Sequence, residues 1–196
     1  MAARSSMIGR MPRIIVVRHG SPIASAADAA DPGLDDLGWS QARTAAGVLA
    51  EQAARPIISS PKRRALETAA PLVEAWGAEL VVDHRFGEMP SPRIAPEDRR
   101  AWLRALLGSR WSELSSPEDG VLHAWREGIL EGLGALASDS ILFSHYLVLN
   151  AIVGAATGDD RLVCFRPDHT SRTVFDVNGG TVHLVERGVE RATRVV

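Results

Sequence analysis

The chain has 196 residues, of which 45% are hydrophobic and 23% charged, values typical of one globular domain that buries a sizeable core. The formal net charge of −2 gives no basic field for nucleic acid or an acidic membrane surface. A lone cysteine, Cys164, excludes an internal disulfide and a thiolate-rich zinc site, and no apolar run approaches the ~18 residues of a membrane span. We therefore expect a cytoplasmic enzyme or binding protein.

The first predicted element is a strand over residues 13–18, "RIIVVR", because its apolar residues are mostly β-branched. The preceding residues 1–12 contain basic residues but no apolar stretch like that of a signal peptide, and we expect a disordered leader there. Arg18 and His19 follow the apolar run at once. A charged residue at the end of a buried strand needs a partner, supplied either by the folded chain or by a ligand.

Strands and helices alternate along the rest of the chain, which predicts an α/β fold: a three-layer sandwich with a mostly parallel central sheet flanked by helices. We assign residues 13–196 to a single domain with a helical insert over about 88–138 that caps the site. The predicted elements are a loop at 20–36, a helix at 37–54, a strand at 56–60, a helix from Ser60 and Pro61 to residue 77, a strand at 78–83, insert helices starting near Pro96 and Pro117, a strand at 140–145, a helix at 147–158 and a final hairpin at 171–188.

Basic and titratable residues follow each predicted parallel strand, at the edge where α/β sheets bind ligands. The arginine fork suits phosphate oxygens, and the helices that begin after Ser60 and His145 would direct free N–H groups to the same edge. This edge therefore predicts an anion site, most suited to a phosphoryl group, with a nucleophile or base in it. The residues concerned are Arg18, His19, Lys62, Arg63, Arg64, His84, Arg85, Glu88 and His145.

Several motifs occur in the order found in the histidine phosphatase superfamily, which includes the phosphoglycerate mutases. The "RHG" at 18–20 resembles the signature of that family, although a tripeptide alone is weak. The resemblance extends over residues 13–150. It is carried further by "DPGLDDLGWSQA" (31–42), "SSPKRRALETA" (59–69), "FGEMPSP" (86–92) and "LFSH" (142–145).

The resemblance implies a role for five residues. His19 would be the nucleophile that takes the phosphoryl group, and Arg18, Arg64 and His145 would hold its oxygens. Glu88 would protonate the leaving oxygen and then take a proton from water. Neutral imidazole is available near pH 7, so neither a metal ion nor a cofactor is expected.

The sequence departs from the family pattern at two places, and both bear on the substrate. Tyr146 follows the second histidine where glycine is common, and Ser21 and Pro22 replace an acidic residue and threonine. We include Ser21, Tyr146 and Asn150 as candidate phosphate- or substrate-binding residues.

Each assignment has a purely structural alternative. Arg18 could pair with a buried carboxylate, His19 could be a core histidine, and Glu88 could be an exposed loop charge. His169, together with Ser171, could edge the pocket, but we expect a structural role for it. We expect the same of the remaining histidines, His84, His123 and His183.

We predict a metal-independent phosphatase that hydrolyses a small phosphate monoester through a phosphohistidine on His19. The alternatives are a phosphoglycerate mutase, a protein phosphohistidine phosphatase and a non-catalytic phosphate-binding protein. The expected partner is a small phosphorylated molecule rather than nucleic acid or membrane, and a homodimer is compatible with the sequence.

Overall fold

The computed structural model describes residues 10–23, 31–91 and 96–190, which contain six strands and five α-helices. The strands are β1 (Arg13–Arg18), β2 (Ile57–Ser59), β3 (Leu80–Val82), β4 (Ser140–Ser144), β5 (Arg172–Asn178) and β6 (Thr181–Glu186). The helices are α1 (Asp36–Ala50), α2 (Arg63–Trp76), α3 (Pro96–Leu107), α4 (Gly120–Gly134) and α5 (Tyr146–Thr157). Short 3₁₀ turns lie at His84–Phe86, Trp111–Glu113 and Pro117–Asp119.

The strands form one six-stranded sheet in the order β3-β2-β4-β1-β5-β6. Strands β1 to β4 are parallel, whereas β5 runs antiparallel to β1 and pairs with β6 in a hairpin. The hairpin turns at Gly179 and Gly180, whose φ values of +52° and +93° favour glycine. The predicted α/β fold with a mostly parallel sheet is confirmed.

Both faces of the sheet are covered, which explains why the first strand is apolar without alternation. Ile14 and Val16 join a core cluster with residues of α4 and α5, and Ile15 and Val17 join a second cluster with residues of α1 and α2. All four side chains are buried. Strand β1 is therefore a rigid central support, and the residues that follow it are held in place from both sides.

The insert packs against the domain through its own apolar cluster. Its buried members are Met89, Leu106, Trp111, Leu122 and Leu162, with Trp102 and Trp125 packed beside them. Leu162 belongs to the loop after α5, so the insert rests on the element that follows His145. The three tryptophans thus pack within the insert, and one of them also forms a polar contact near the site, described below.

Two local expectations need correction. Helix α2 begins at Arg63 rather than at Pro61, and both carboxylate oxygens of Asp31 accept the Arg63 N–H, at 3.1 and 3.0 Å. At the other end of the chain, residues 1–9 of the predicted leader lie outside the described residues. Arg10 bonds to Asp139 and the Pro12 carbonyl accepts the Val177 N–H, so ordered contacts begin before residue 13. Among the described helices, none combines the length and apolar character needed to cross a bilayer.

Candidate active site

The ends of β1 and β4 bring two histidines together. The register pairs Arg18 with Ser144, so His19 and His145 each lie one residue beyond paired positions of neighbouring parallel strands. The backbone N–H of His19 donates to Ser144 O at 2.9 Å, and the ring centroids of the two histidines are 5.3 Å apart. The predicted convergence at this sheet edge is thus present in the structure.

The hydrogen bond of His19 leaves one ring nitrogen free to react. Nδ1 lies 2.8 Å from Gly20 O, and because a carbonyl only accepts, Nδ1 carries the proton. Nε2 therefore holds a lone pair, and it accepts from Arg64 Nε at 3.3 Å. Burial, followed by the charges of His145 and Arg64, holds the pKa of His19 well below its usual 6.5. The ring is neutral at pH 7, which is the nucleophilic form.

One close backbone approach and two hydrogen bonds shape the loop that follows His19. A Cβ on Gly20 would lie 2.7 Å from Gly38 O, so glycine is required where the loop meets the start of α1. The Ser21 N–H donates to Gln41 Oε1 at 2.8 Å, and the Gly20 N–H donates to Thr68 Oγ1 at 3.0 Å. The glycine and glutamine of the "GWSQA" motif therefore fix the loop that carries the nucleophile.

Arg64 links His19 to the carboxylate of Glu88. Its Nε donates to His19 Nε2, and its Nη2 donates to Glu88 Oε2 at 3.2 Å. The side chain is only 11% exposed. Its neighbour Arg63 instead forms a surface pair with Glu67 at 2.6 Å. Of these two consecutive arginines, the structure places Arg64 in the site, as the family motif implies.

Glu88 faces the two histidines from the first residues of the insert. Its Oε2 lies 3.5 Å from His145 Nδ1, and its Oε1 accepts the Met89 N–H at 3.1 Å. The segment is held by Trp125, whose indole N–H donates to Gly87 O at 3.0 Å. A helix of the insert therefore positions the candidate acid, so the structural alternative of a free loop charge does not describe Glu88.

His145 is fully buried, and its two ring nitrogens have different surroundings. Nε2 lies 2.6 Å from Ser60 Oγ, whereas Nδ1 faces Glu88 and has no hydrogen-bond partner within the described part of the chain. Burial, followed by the positive charges of Arg64, Lys62 and Arg18, lowers the pKa of His145 well below 6.5. An unpartnered ring nitrogen on the side of Glu88 can donate to an anionic oxygen when it carries the ring proton.

Arg18 is a buried cation that contacts a backbone carbonyl and an aromatic ring. Nη1 donates to Pro167 O at 2.9 Å, and the guanidinium lies over the Tyr146 ring, 5.1 Å from its centroid. Its Nε is buried and has no hydrogen-bond partner among the residues that the structure describes. Burial lowers the pKa of Arg18. A bound anion would relieve this unfavourable burial of charge.

The three additional binding candidates have other roles in the structure. The Ser21 hydroxyl donates to Asp35 Oδ2 at 2.8 Å, and Tyr146 supports the guanidinium of Arg18. Asn150 Oδ1 accepts the N–H groups of Cys164 and Phe165, at 2.8 and 3.0 Å, and its amide N–H donates to Tyr146 O. Asn150 therefore fixes the loop after α5, and a phosphate contact by this residue stays a prediction.

His169 lies beside the ring of His19, at the pocket edge that the sequence analysis gave as the alternative to a structural role. Its ring centroid is 5.9 Å from that of His19. The following residue, Thr170, has a φ of +55°, which is strained for a β-branched side chain, and its N–H donates to Arg18 O at 3.0 Å. The strand order could have revealed this position. Because β5 runs antiparallel to β1, the turn before β5 lies at the end of β1, next to His19.

The same cluster contains a set of atoms able to ligate a metal ion. One ligand atom each from His19, Glu88 and His145 lies within 4.8 Å of the others. However, Arg64 donates hydrogen bonds to both His19 Nε2 and Glu88 Oε2, so a metal cation would meet a fixed positive charge between its ligands. This arrangement favours an anion over a cation.

Comparison with known proteins agrees with this geometry. The sequence model described as the histidine phosphatase superfamily (branch 1) matches residues 14–190. The chain belongs to this superfamily. The match includes the five residues to which the resemblance gave a role, from Arg18 to His145.

Relatives within the histidine phosphatase superfamily include a glucosyl-3-phosphoglycerate phosphatase of Mycolicibacterium vanbaalenii. It is 30% identical over 164 residues, which cover 79% of this chain and 68% of the relative. Among solved structures, Bacillus stearothermophilus YhfR has a TM-score of 0.76 at 19% identity, covering 92% of this chain and 98% of that one. A mycobacterial glucosyl-3-phosphoglycerate phosphatase in complex with VO3 has a TM-score of 0.66 at 21% identity, covering 93% and 100%. This chain is a phosphatase of the superfamily.

Proposed function

We propose that this phosphatase hydrolyses a small phosphate monoester through a phosphohistidine formed on His19. The observation that supports this most is the partnering of the His19 ring. Gly20 O holds the proton on Nδ1, and Nε2 is left as a neutral lone pair beside Arg64. A histidine held in this way is a nucleophile without assistance from a metal ion or a cofactor.

In the first step, His19 Nε2 attacks phosphorus as the bond to the leaving oxygen breaks. Arg18, Arg64 and His145 bind the phosphoryl oxygens, on which charge is held in the transition state. Glu88 enters this step protonated, with a proton taken from solvent or brought by the monoanionic ester, and gives that proton to the leaving oxygen. The phosphoryl group competes for Arg64, which releases Glu88 from the contact between their side chains.

In the second step, water replaces the histidine on phosphorus. Glu88 is now ionised and takes a proton from this water as its oxygen attacks. The P–N bond breaks, inorganic phosphate leaves and His19 returns to its neutral form with the proton still on Nδ1. Each group ends in its starting state, so the cycle balances without a co-reactant.

For the substrate class, we infer a small acidic phosphate ester. The relative from Mycolicibacterium vanbaalenii is named for glucosyl-3-phosphoglycerate, which makes this compound the first to assay. Smaller phosphate esters, including the phosphoglycerates, form the rest of the panel. We also propose that residues 13–190 act as one domain, with the insert holding Glu88 over the phosphate site.

The test is hydrolysis of a generic aryl phosphate in the presence of a chelator, followed by the substrate panel. We expect phosphate release that survives chelation. Loss of activity on chelation would contradict the metal-independent step. Transfer of phosphate between phosphoglycerates without net release would indicate a mutase, and phosphate binding without turnover of any ester would indicate a binding protein. Release from phosphohistidine peptides alone would indicate a protein phosphohistidine phosphatase.

A further inference from the structure

The buried hydroxyl of Ser60 contacts the ring of His145 on the side away from the phosphate site. Ser60 lies just past the end of β2, and its N–H donates to Phe143 O of β4 at 3.0 Å. Ser60 and His145 are both completely buried. The 2.6 Å contact between Ser60 Oγ and His145 Nε2 is therefore made between two groups whose backbones are fixed by adjacent strands.

Counting protons assigns the direction of this hydrogen bond. Within the described part of the chain, Ser60 Oγ has two contacts: it accepts the Lys62 N–H at 3.2 Å and meets His145 Nε2. If Nε2 carried the proton, two N–H groups would point at Oγ and the hydroxyl proton would have no acceptor among these contacts. If the hydroxyl donates to Nε2, the donors and acceptors match.

The other side of the ring favours the same tautomer. His145 Nδ1 faces Glu88 Oε2 at 3.5 Å, and a lone pair at Nδ1 would oppose the carboxylate oxygen. The charged groups around the ring are Arg18, Lys62, Arg64 and Glu88. Three of these are cations, and together with burial they disfavour the imidazolium. His145 therefore has a single proton to place.

We propose that Ser60 is a positioning residue that donates its hydroxyl proton to His145 Nε2 and so holds the His145 proton on Nδ1, facing the phosphoryl oxygens. His145 then acts as a neutral hydrogen-bond donor in both steps. This inference rests on the proposed function for its effect on catalysis, but the tautomer itself is a property of the free protein.

The primary test is a long-range ¹H–¹⁵N correlation spectrum of the histidine rings, which distinguishes protonated from unprotonated ring nitrogens. The His145 resonances are assigned by their loss in His145→Gln. At pH 7.5 we expect a protonated Nδ1 and an unprotonated Nε2. A protonated Nε2 would overturn the proposal, whether or not the protein hydrolyses phosphate esters.

The second test uses serine variants with a matched control. Ser60→Ala should lower kcat by about 10- to 100-fold, the usual effect of removing a group that orients a functional histidine through its other nitrogen, and should give a mixture of His145 tautomers. Ser60→Thr keeps the hydroxyl and should recover part of the activity. Ser59→Ala removes an equally buried hydroxyl whose hydrogen bond within the described residues is to Ser60 O, and should keep kcat within about 2-fold of the wild type.

These results separate the inference from the proposed function. A wild-type Nδ1–H tautomer that becomes mixed in Ser60→Ala supports the positioning role even if no ester is hydrolysed. An active wild type whose His145 tautomer is unchanged in Ser60→Ala contradicts the positioning role while leaving the phosphatase reaction intact. If Ser60→Ala fails to fold, the wild-type tautomer and the activity of Ser60→Thr decide the matter.

Discussion

The ends of β1 and β4 place the same residue type at equivalent positions, yet the two histidines are suited to different chemistry. His19 and His145 are both buried, both have a lowered pKa, and their rings lie 5.3 Å apart. They differ in the group that holds the inner ring nitrogen. A backbone carbonyl holds Nδ1 of His19, and a serine hydroxyl contacts Nε2 of His145.

This difference shows how one side chain can serve as nucleophile or donor. A carbonyl can only accept a hydrogen bond, so it fixes the His19 proton on Nδ1 and leaves the lone pair of Nε2 facing the site. A hydroxyl can also donate, so Ser60 can donate to Nε2 of His145 and leave the ring proton on Nδ1, which faces the site. We propose that the partner of the inner nitrogen, rather than burial or pKa, separates the two roles.

The largest predicted effect comes from removing the His19 ring. His19→Ala should lower kcat for an aryl phosphate by about 10⁴-fold or more, since the nucleophile of the covalent step is lost. Phosphate-release assays and a circular dichroism melt would be recorded together. His183→Ala, which removes an exposed histidine of β6, is the control that should retain wild-type activity. Comparable activity in both variants would exclude His19 as the nucleophile.

The variant Glu88→Gln tests whether Glu88 acts as a general acid beside the rings of His19 and His145. Glu88→Gln keeps the shape of the side chain but cannot transfer a proton. For alkyl phosphates, whose leaving oxygen needs protonation, we expect kcat to fall by about 10²- to 10⁴-fold, the usual range for general acid–base catalysis. Activated aryl esters should be slowed far less in the first step. Equal slowing of both classes, measured under single-turnover conditions, would contradict the acid role.

The donor role predicted for His145 gives a smaller loss than removal of the nucleophile. His145→Ala should lower kcat by about 10²- to 10³-fold, the usual result of deleting one donor to a transition-state oxygen. The phosphohistidine should still form in this variant, only more slowly. Rapid-quench measurement of the first turnover would show this. If His145→Ala kept its fold but formed no phosphohistidine, the result would contradict the assignment of His19 as the nucleophile.

The smallest predicted effect is on the free energy of unfolding and comes from His169. Burial and Arg18 lower the pKa of His169 to about 4, so the unfolded chain takes up a proton as the pH falls below 6.5 while the folded chain stays neutral. Stability present above pH 6.5 is therefore lost between pH 6.5 and 4. After allowance for partial solvent screening, this is about 1 kcal/mol at pH 5.

Urea unfolding of the wild type and His169→Gln at pH 7.5 and pH 5 would measure this contribution. The wild type should lose about 1 kcal/mol more free energy of unfolding between the two pH values than His169→Gln does. Carboxylate groups contribute equally to both proteins and cancel in the difference. An identical pH dependence in the two proteins would show that His169 titrates normally.

The sequence predicted those features that follow from strand order and local motifs. Strand β1 has the predicted bounds, because an apolar β-branched run between polar ends allows little choice. The convergence of Arg18, His19, Arg64 and His145 follows from the parallel order of β1, β2 and β4. The Asn178-Gly179-Gly180 turn was also predictable, since positive φ values favour glycine.

The sequence failed where a residue's partner is distant in the chain. The start of α2 was misplaced because Asp31, about thirty residues earlier, caps Arg63, so Ser60 is left to contact His145. The closeness of Asn150 to His145 in sequence predicts a site residue but gives no sign of its hydrogen bonds to Cys164 and Phe165. Such pairings depend on how loops pack against helices, which periodicity and propensity do not encode.

The most direct measurement of the central claim is capture of the covalent intermediate. An aryl phosphate is mixed with the enzyme in the presence of a chelator, and the reaction is quenched with base within the first turnover. The phosphorylated peptide is then identified by mass spectrometry. We predict one phosphoryl group on His19, stable to base and labile to acid. A phosphoryl group on another residue, or full-rate turnover with no labelled peptide, would contradict the phosphohistidine mechanism.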